Sequence, residues 1–214
     1  MIPKTPDGRV LFAVPWHGKV VVGTTDTLVD EISLEPRALP EEINFILNTA
    51  GEYLVYPPKR SDVRSVFAGL RPLAAPEEEG EKTKEISRSH KIIISPTGLI
   101  TIIGGKWTTY RKMGEDAIEK AILIGGLEES PSVTDNMPIH GYVKSFDNKD
   151  PLHYYGSDRD KIKALALKDQ TMAEPLVEGF PYTKAEVVWA VQEEMARTVE
   201  DFLARRSRFL LLDA

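Results

Sequence analysis

The hydrophobic period of the chain changes several times, and each change marks an element. Residues 9–25, RVLFAVPWHGKVVVGTT, hold two β-branched runs joined at Pro15-Trp16-His17-Gly18, which predicts a hairpin. From Pro40 onward Ile43, Ile46, Leu47, Ala50 and Leu54 recur at steps of three and four. That spacing predicts a helix over 40–54, with Pro40 in its first turn and Pro57-Pro58 as its stop. Residues 62–74, DVRSVFAGLRPLA, read as a strand running into a proline corner, and the charged EEEGEKTKE at 77–85 as a solvated loop.

A second hairpin is expected over 91–104. Two isoleucine-rich runs flank Ser95-Pro96-Thr97-Gly98, with proline and glycine at the second and fourth positions, as a type I turn prefers. After it, Tyr110, Met113, Ala117, Ala121 and Ile124 form a helical stripe that ends at Gly125-Gly126. Residues 128–156 lack a period and are rich in Pro, Asp, Asn and Ser, so they read as a linker. Beyond them the pattern is helical. Ser157 and Thr183 are expected N-caps, Thr183 with Glu186 has capping-box spacing, and Thr198 with Asp201 is placed to start a further short helix. The division is a mixed α/β part over 1–127, a linker over 128–156 and a helical part over 157–214.

Composition narrows the function. With 214 residues, 42% of them hydrophobic, the chain can bury a core. A net charge of -6 argues against a nucleic-acid partner, whose phosphates demand basic stripes. There is no cysteine, hence no disulfide or thiolate chemistry, and a cytoplasmic setting is the expectation. The first residues, MIPKTPDGRVLFAV, have too short an apolar run for a signal peptide, and runs such as Leu99–Ile103 are far too short to span a membrane, so a soluble chain is expected. His17, His90, His140 and His153 lack ligand spacing, so no metal is expected.

The densest chemistry lies in GGKWTTYRKMGEDA, residues 104–117. A P-loop needs a glycine five residues before its Gly-Lys pair and Ser or Thr after it; Ile100 and Trp107 stand there instead. What remains is strand, glycine turn and helix N-terminus, whose unpaired N–H groups suit an anion or an electron-rich carbonyl. Gly104 and Gly105 carry no side chains to hold a ligand away, and Lys106 adds a cation. The plain alternative is a strand-to-helix turn with Lys106 in solvent. Arg71 in GLRPLA, Arg88 in ISRSH and the small polar Gly23-Thr24-Thr25-Asp26 are further candidates.

The series PWHGKVVVGTTDT, GLRPLAAP, ISRSHKI and GGKWTTYRKMGEDAIEKA resembles FAD-dependent glycerol-3-phosphate dehydrogenases and the similar glycerophosphate oxidases. The last residues, EMARTVEDFLARRSRFLLLD, look like the helical C-terminal domain of that family. The resemblance implies an α+β fold: an antiparallel-rich substrate-binding region with the last strands and helix of an FAD domain, then a small all-α domain. It also implies oxidation of sn-glycerol 3-phosphate to dihydroxyacetone phosphate by hydride transfer to FAD, with quinone or oxygen as final acceptor. One departure stands out. The family's G-x-G-x-x-G turn, which holds the FAD pyrophosphate, is missing, and its upstream active-site histidine has no counterpart. The expectation is therefore the C-terminal part of a longer enzyme, inactive by itself and without bound FAD.

Carried onto this sequence, the resemblance assigns the substrate phosphate to Arg71 and Arg88, where a guanidinium can make paired hydrogen bonds. Lys106 is the catalytic candidate, able to reach the substrate hydroxyl or the flavin edge. Gly104, Gly105, Lys106, Trp107 and Thr108 are the cofactor-binding candidates, their N–H groups facing the flavin N1–C2=O region. Peripheral membrane attachment on the cytoplasmic side and a homodimer are open partners of the intact enzyme. Two alternatives stand beside this: a small-phosphate-binding module without redox activity, and a related FAD-dependent amine or amino-acid oxidase.

Overall fold

The computed structural model describes residues 1–3, 5–6, 8–71 and 89–214. It has the α+β character expected, with helices and two small antiparallel sheets, and it divides into two compact units. The first comprises Met1–Arg60 and Phe67–Met137, the second Ser61–Val66 and Pro138–Ala214.

In the first unit, strands β1 (Phe12–Trp16) and β2 (Lys19–Gly23) pair from Phe12↔Gly23 to Trp16↔Lys19. Only His17 and Gly18 remain for the loop, at φ 47° and 73°. Two consecutive left-handed residues make the turn whose twist matches that of the strands, so the hairpin closes in two residues. Helix α1 (Pro40–Gly51) begins with proline at its first position, and the Glu42 carboxylate accepts the Leu39 N–H at 2.9 Å. It ends three residues earlier than its periodicity suggested. Phe45, Ile46 and Ala50 pack with Ile2, Leu11 and Val22 to form a small core.

Strands β3 (His90–Ile94) and β4 (Ile100–Gly104) form the second hairpin. The Gly98 N–H bonds the Ser95 carbonyl at 2.9 Å, and Gly98 takes φ 85°. A 3-10 turn, Trp107–Thr109, leads from β4 into helix α2 (Tyr110–Gly125). Gly126 ends that helix in the left-handed region, and both its N–H and that of Leu127 bond the Ile122 carbonyl. The strand expected over 62–74 is not found in its described part: beyond a 3-10 turn at Arg60–Asp62, none of residues 63–71 enters a ladder. A β-prone sequence becomes a strand only when a neighbouring edge accepts and donates its hydrogen bonds. Residues 72–74 and the 77–85 loop lie outside the described residues.

The second unit is helical, with α3 (Arg159–Lys168), α4 (Lys184–Glu193), a π-helical turn at Asp201–Arg206 and α5 (Phe209–Leu212). Ser157 does not cap α3 as its position suggested. Its N–H instead bonds the Gly141 carbonyl at 3.1 Å, and α3 starts two residues later. Gly156 makes that approach feasible, because a Cβ there would run into the Gly141 carbonyl. The Thr183–Glu186 box forms as expected: the Glu186 carboxylate accepts the Thr183 N–H at 2.6 Å and its hydroxyl at 3.2 Å. Asp201 likewise accepts the Arg197 and Thr198 N–H groups at 2.9 and 3.0 Å, while Thr198 accepts the Asp201 N–H at 3.1 Å.

Tyr155, Ile162, Ala185 and Trp189 form the core of this unit, with Leu152, Leu165 and Met172 against them. Phe180 and Tyr182 each pack on Phe209 with ring centroids 4.8 Å apart. Glu186 is 1% exposed and has four donors, since the Tyr154 and Tyr155 hydroxyls add bonds of 2.7 and 3.1 Å. Burial, reinforced by this carboxylate, pushes both phenols well above their ordinary pKa.

Burial separates two substitutions in the helical unit. Ile162 is 1% exposed and Val199 is 76% exposed. Ile162→Ala should cost about 2–5 kcal/mol, because the surrounding side chains only partly collapse into the space left. Val199→Ala should stay within about 0.5 kcal/mol. Urea unfolding followed by circular dichroism checks both, and equal midpoints would contradict this packing.

Candidate functional site

The backbone at the end of β4 takes two consecutive left-handed steps, φ 72° at Gly104 and φ 86° at Gly105. These reverse the chain onto α2. A Cβ on Gly105 would lie 2.5 Å from the Met113 Sδ and 3.3 Å from the His90 Cβ, so the turn rests on α2 and on β3. Lys106 returns to extended backbone, φ -126° and ψ 148°. Its carbonyl accepts the Thr109 N–H at 2.9 Å and the Thr109 hydroxyl at 3.0 Å. Among the described residues, the Lys106 ammonium has no carboxylate partner, and the Trp107 and Thr108 N–H groups have no acceptor. Trp107 is 88% exposed beside Tyr110, ring centroids 5.7 Å apart. The turn thus presents one ammonium, two N–H groups and an aromatic face, which together can bind an electron-rich planar or anionic group.

A layer of charge lies behind the turn. The Nε2 of His90 is 2.9 Å from Asp116, whose other oxygen is 2.8 Å from the Lys112 ammonium. Lys112 also pairs with Glu115, as does Arg111, which reaches Thr134 and Asp135 as well. The Lys112 hydrogen bond, with His90 adding to it, holds the Asp116 carboxyl below the usual carboxylate range. Lys112 and Arg111 do the same for Glu115, and Asp116 with Glu115 raises the Lys112 ammonium in return. The pattern of the sequence did not single out His90 or Asp116. The available signal was Asp116 beside Ala117 on the half-buried side of α2, a polar residue that needs a partner there.

Arg71 lies with the GTTD segment: its guanidinium bonds Asp26 at 3.3 Å and is half exposed. Thr27 donates to Glu42 at 2.6 Å and so fastens this segment to the start of α1. Although burial pushes the Glu42 carboxyl up, the Thr27 and Leu39 donors hold it below its ordinary value. Asp26 of GTTD and Arg71 of GLRPL are therefore brought together, as one group. The bonds of Lys106 run within its own turn, as a second. Arg88 lies outside the described residues.

Elsewhere, an apolar groove of 440 Å³ in the helical unit is lined by residues including Val187, Val191, Phe202 and Phe209, and contains none of the expected site residues. Among the described residues no group of His, Asp and Glu has metal-binding geometry, and no helix is long and apolar enough to cross a membrane.

Fold and site together define a two-unit α+β protein whose chemistry-bearing turn joins an antiparallel hairpin to a helix. Residues 95–214 match the family described as the C-terminal domain of alpha-glycerophosphate oxidase, and the chain belongs to that family. It is 36% identical over 244 residues to glycerol-3-phosphate dehydrogenase SDP6, mitochondrial, of Arabidopsis thaliana, covering 100% of this chain and 38% of that protein. It is 32% identical to the mitochondrial glycerol-3-phosphate dehydrogenase of Saccharomyces cerevisiae, covering 99% of the chain and 40% of the relative. For the human mitochondrial enzyme the identity is 36%, over 99% and 32%. The chain thus spans between about a third and two fifths of the length of these relatives. Their names overturn the cytoplasmic expectation, because all three are mitochondrial proteins. Composition reports the redox state that a chain tolerates, and a missing cysteine is compatible with several compartments.

Gly105→Ala tests the turn. The Met113 thioether is the mobile end of its side chain and can move aside, so the cost is chiefly that of a left-handed L-residue, about 1–2 kcal/mol. Met113→Ala introduced together with it should recover only a minor part. Full recovery in thermal or urea unfolding would show that crowding, rather than backbone conformation, requires glycine here.

Proposed function

We propose that the chain forms the substrate side of a mitochondrial flavoenzyme that oxidises sn-glycerol 3-phosphate to dihydroxyacetone phosphate. The observation that carries this reading is the turn itself, which displays Lys106 and the Trp107 and Thr108 N–H groups over a glycine pair that offers no side chain to obstruct a ligand. That donor set fits the electron-rich N1–C2=O edge of a flavin. The names of the mitochondrial relatives support the substrate and the compartment.

FAD, when bound, would supply the acceptor for hydride from the substrate C2, with a quinone or oxygen as final acceptor. Gly104, Gly105, Lys106, Trp107 and Thr108 would hold the N1–C2=O edge of that cofactor. The Lys106 ammonium, unneutralised by any carboxylate among the described residues, would stabilise negative charge on the flavin edge or the substrate oxygen. Arg71 holds the phosphate. The Asp26 contact orients its guanidinium by one nitrogen and, among the described residues, leaves the other donors for a dianion. Arg88, two residues before His90 in the sequence, is the second guanidinium of this scheme.

Steady-state kinetics on the longer flavoenzyme containing this chain, at matched flavin content, separate the two roles. Arg71→Ala should raise KM more than it lowers kcat, at a cost of about 1.5–3 kcal/mol, because phosphate is held alike in ground and transition states. Lys106→Ala should act on kcat, roughly tenfold to a thousandfold, as loss of an oxyanion donor does. Lys106→Met, which keeps the stem and loses the charge, should not restore the rate. Normal turnover by Lys106→Ala would reduce the turn to a connection between strand and helix.

The 214-residue chain alone should retain no flavin. Without the pyrophosphate-binding turn, its contacts must offset a cost of association of about 4–15 kcal/mol. Visible absorbance after soaking in FAD and desalting reads this directly, and stoichiometric retained flavin would refute it.

A further inference from the structure

We infer that His90 is a positioning residue for Lys106, acting as a clasp that closes residues 104–116 from both ends. The first end is backbone: His90 opens β3 and is the register partner of Gly104, the last residue of β4. The second end is side chain: its Nε2 meets the Asp116 carboxylate at 2.9 Å, well inside α2. Between those two attachments lie Gly105, Lys106 and the open N–H groups of Trp107 and Thr108. One residue therefore fixes where the turn starts and where the helix behind it sits.

Two further observations give the clasp its stiffness. The space at Gly105 is bounded by the His90 Cβ and the Met113 thioether, so the His90 stem also forms the floor of the turn. Asp116 is held on its other oxygen by Lys112, which keeps the carboxylate aimed at the ring. The two partners keep only 21% and 26% of their side-chain exposure, so water competes weakly for this bond. His90 touches neither substrate nor cofactor in this scheme. It acts through the backbone that carries Lys106, and the functional half of the inference rests on the proposed use of that turn.

The geometric half is read in the whole 214-residue chain by amide hydrogen exchange in NMR spectra. The Thr109 and Tyr110 N–H groups close the turn on the Lys106 and Trp107 carbonyls, and helix α4 serves as internal reference. His90→Leu should speed their exchange about tenfold or more relative to α4, while His90→Gln, which keeps a donor near Nε2, should stay within about threefold of the parent chain. Asp116→Asn retains an acceptor but loses the charge and should fall between them; it also serves if His90→Leu does not fold. An unchanged ratio in His90→Leu or Asp116→Asn, or equal acceleration in His90→Gln and His90→Leu, would overturn the clasp. In the longer flavoenzyme, His90→Leu should lower kcat with little change in KM for glycerol 3-phosphate, and His90→Gln should restore it. A loosened turn with unchanged kcat would overturn the positioning role. Exchange rates do not depend on flavin, and Lys106→Ala tests the flavin reading by itself, so the two failures are distinguishable.

Discussion

Everything around the candidate site depends on two consecutive backbone steps at positive φ. Gly104 and Gly105 turn the chain from the last strand pair of the β3–β4 hairpin directly toward α2, and an L-residue would resist each step by about 1–2 kcal/mol. The reversal brings the Gly105 Cα against Met113 and His90. It leaves Lys106 in extended backbone, with its carbonyl engaged by Thr109 and its side chain outside. The N–H groups that follow belong to a first turn and have no helical acceptor. Cation and donors are thus consequences of one conformation, and a longer or looser connection would not display them together.

The helical unit is organised by a different constraint, the burial of a carboxylate that has no cation partner among the described residues. Glu186 caps α4 through Thr183 and receives the Tyr154 and Tyr155 hydroxyls. Four donors replace the water removed by burial, which is the condition for such a group to be tolerated. The same bonds join the start of α4 to the segment preceding α3, where Gly156 lies against Gly141. Polar contacts here set the mutual placement of elements, and the Ile162–Trp189 core fills the space between them.

Much of the secondary structure was legible because its causes are local. His17-Gly18 suits a two-residue loop, Pro40 suits a first helical turn, Gly126 suits a left-handed cap, and Thr183 with Glu186 suits a box. Each needs only residues within a few positions. Where a distant partner decides, local pattern misled. Residues 63–71 are rich in strand formers and form no ladder, and Ser157 satisfies the Gly141 carbonyl instead of capping a helix. The compartment misled for another reason, since composition does not encode it.

The family, the order of elements and the residue types at the Lys106 turn were determined by the sequence alone, since motif spacing and glycine placement are properties of a few neighbouring residues. Only tertiary structure decided that Arg71 meets Asp26 across 45 positions, that Glu186 collects two tyrosines, and that His90 reaches Asp116 behind the turn. Those pairings follow from how strand, turn and helix close on one another. A side chain's partner depends on that closure, and residue type alone does not specify it.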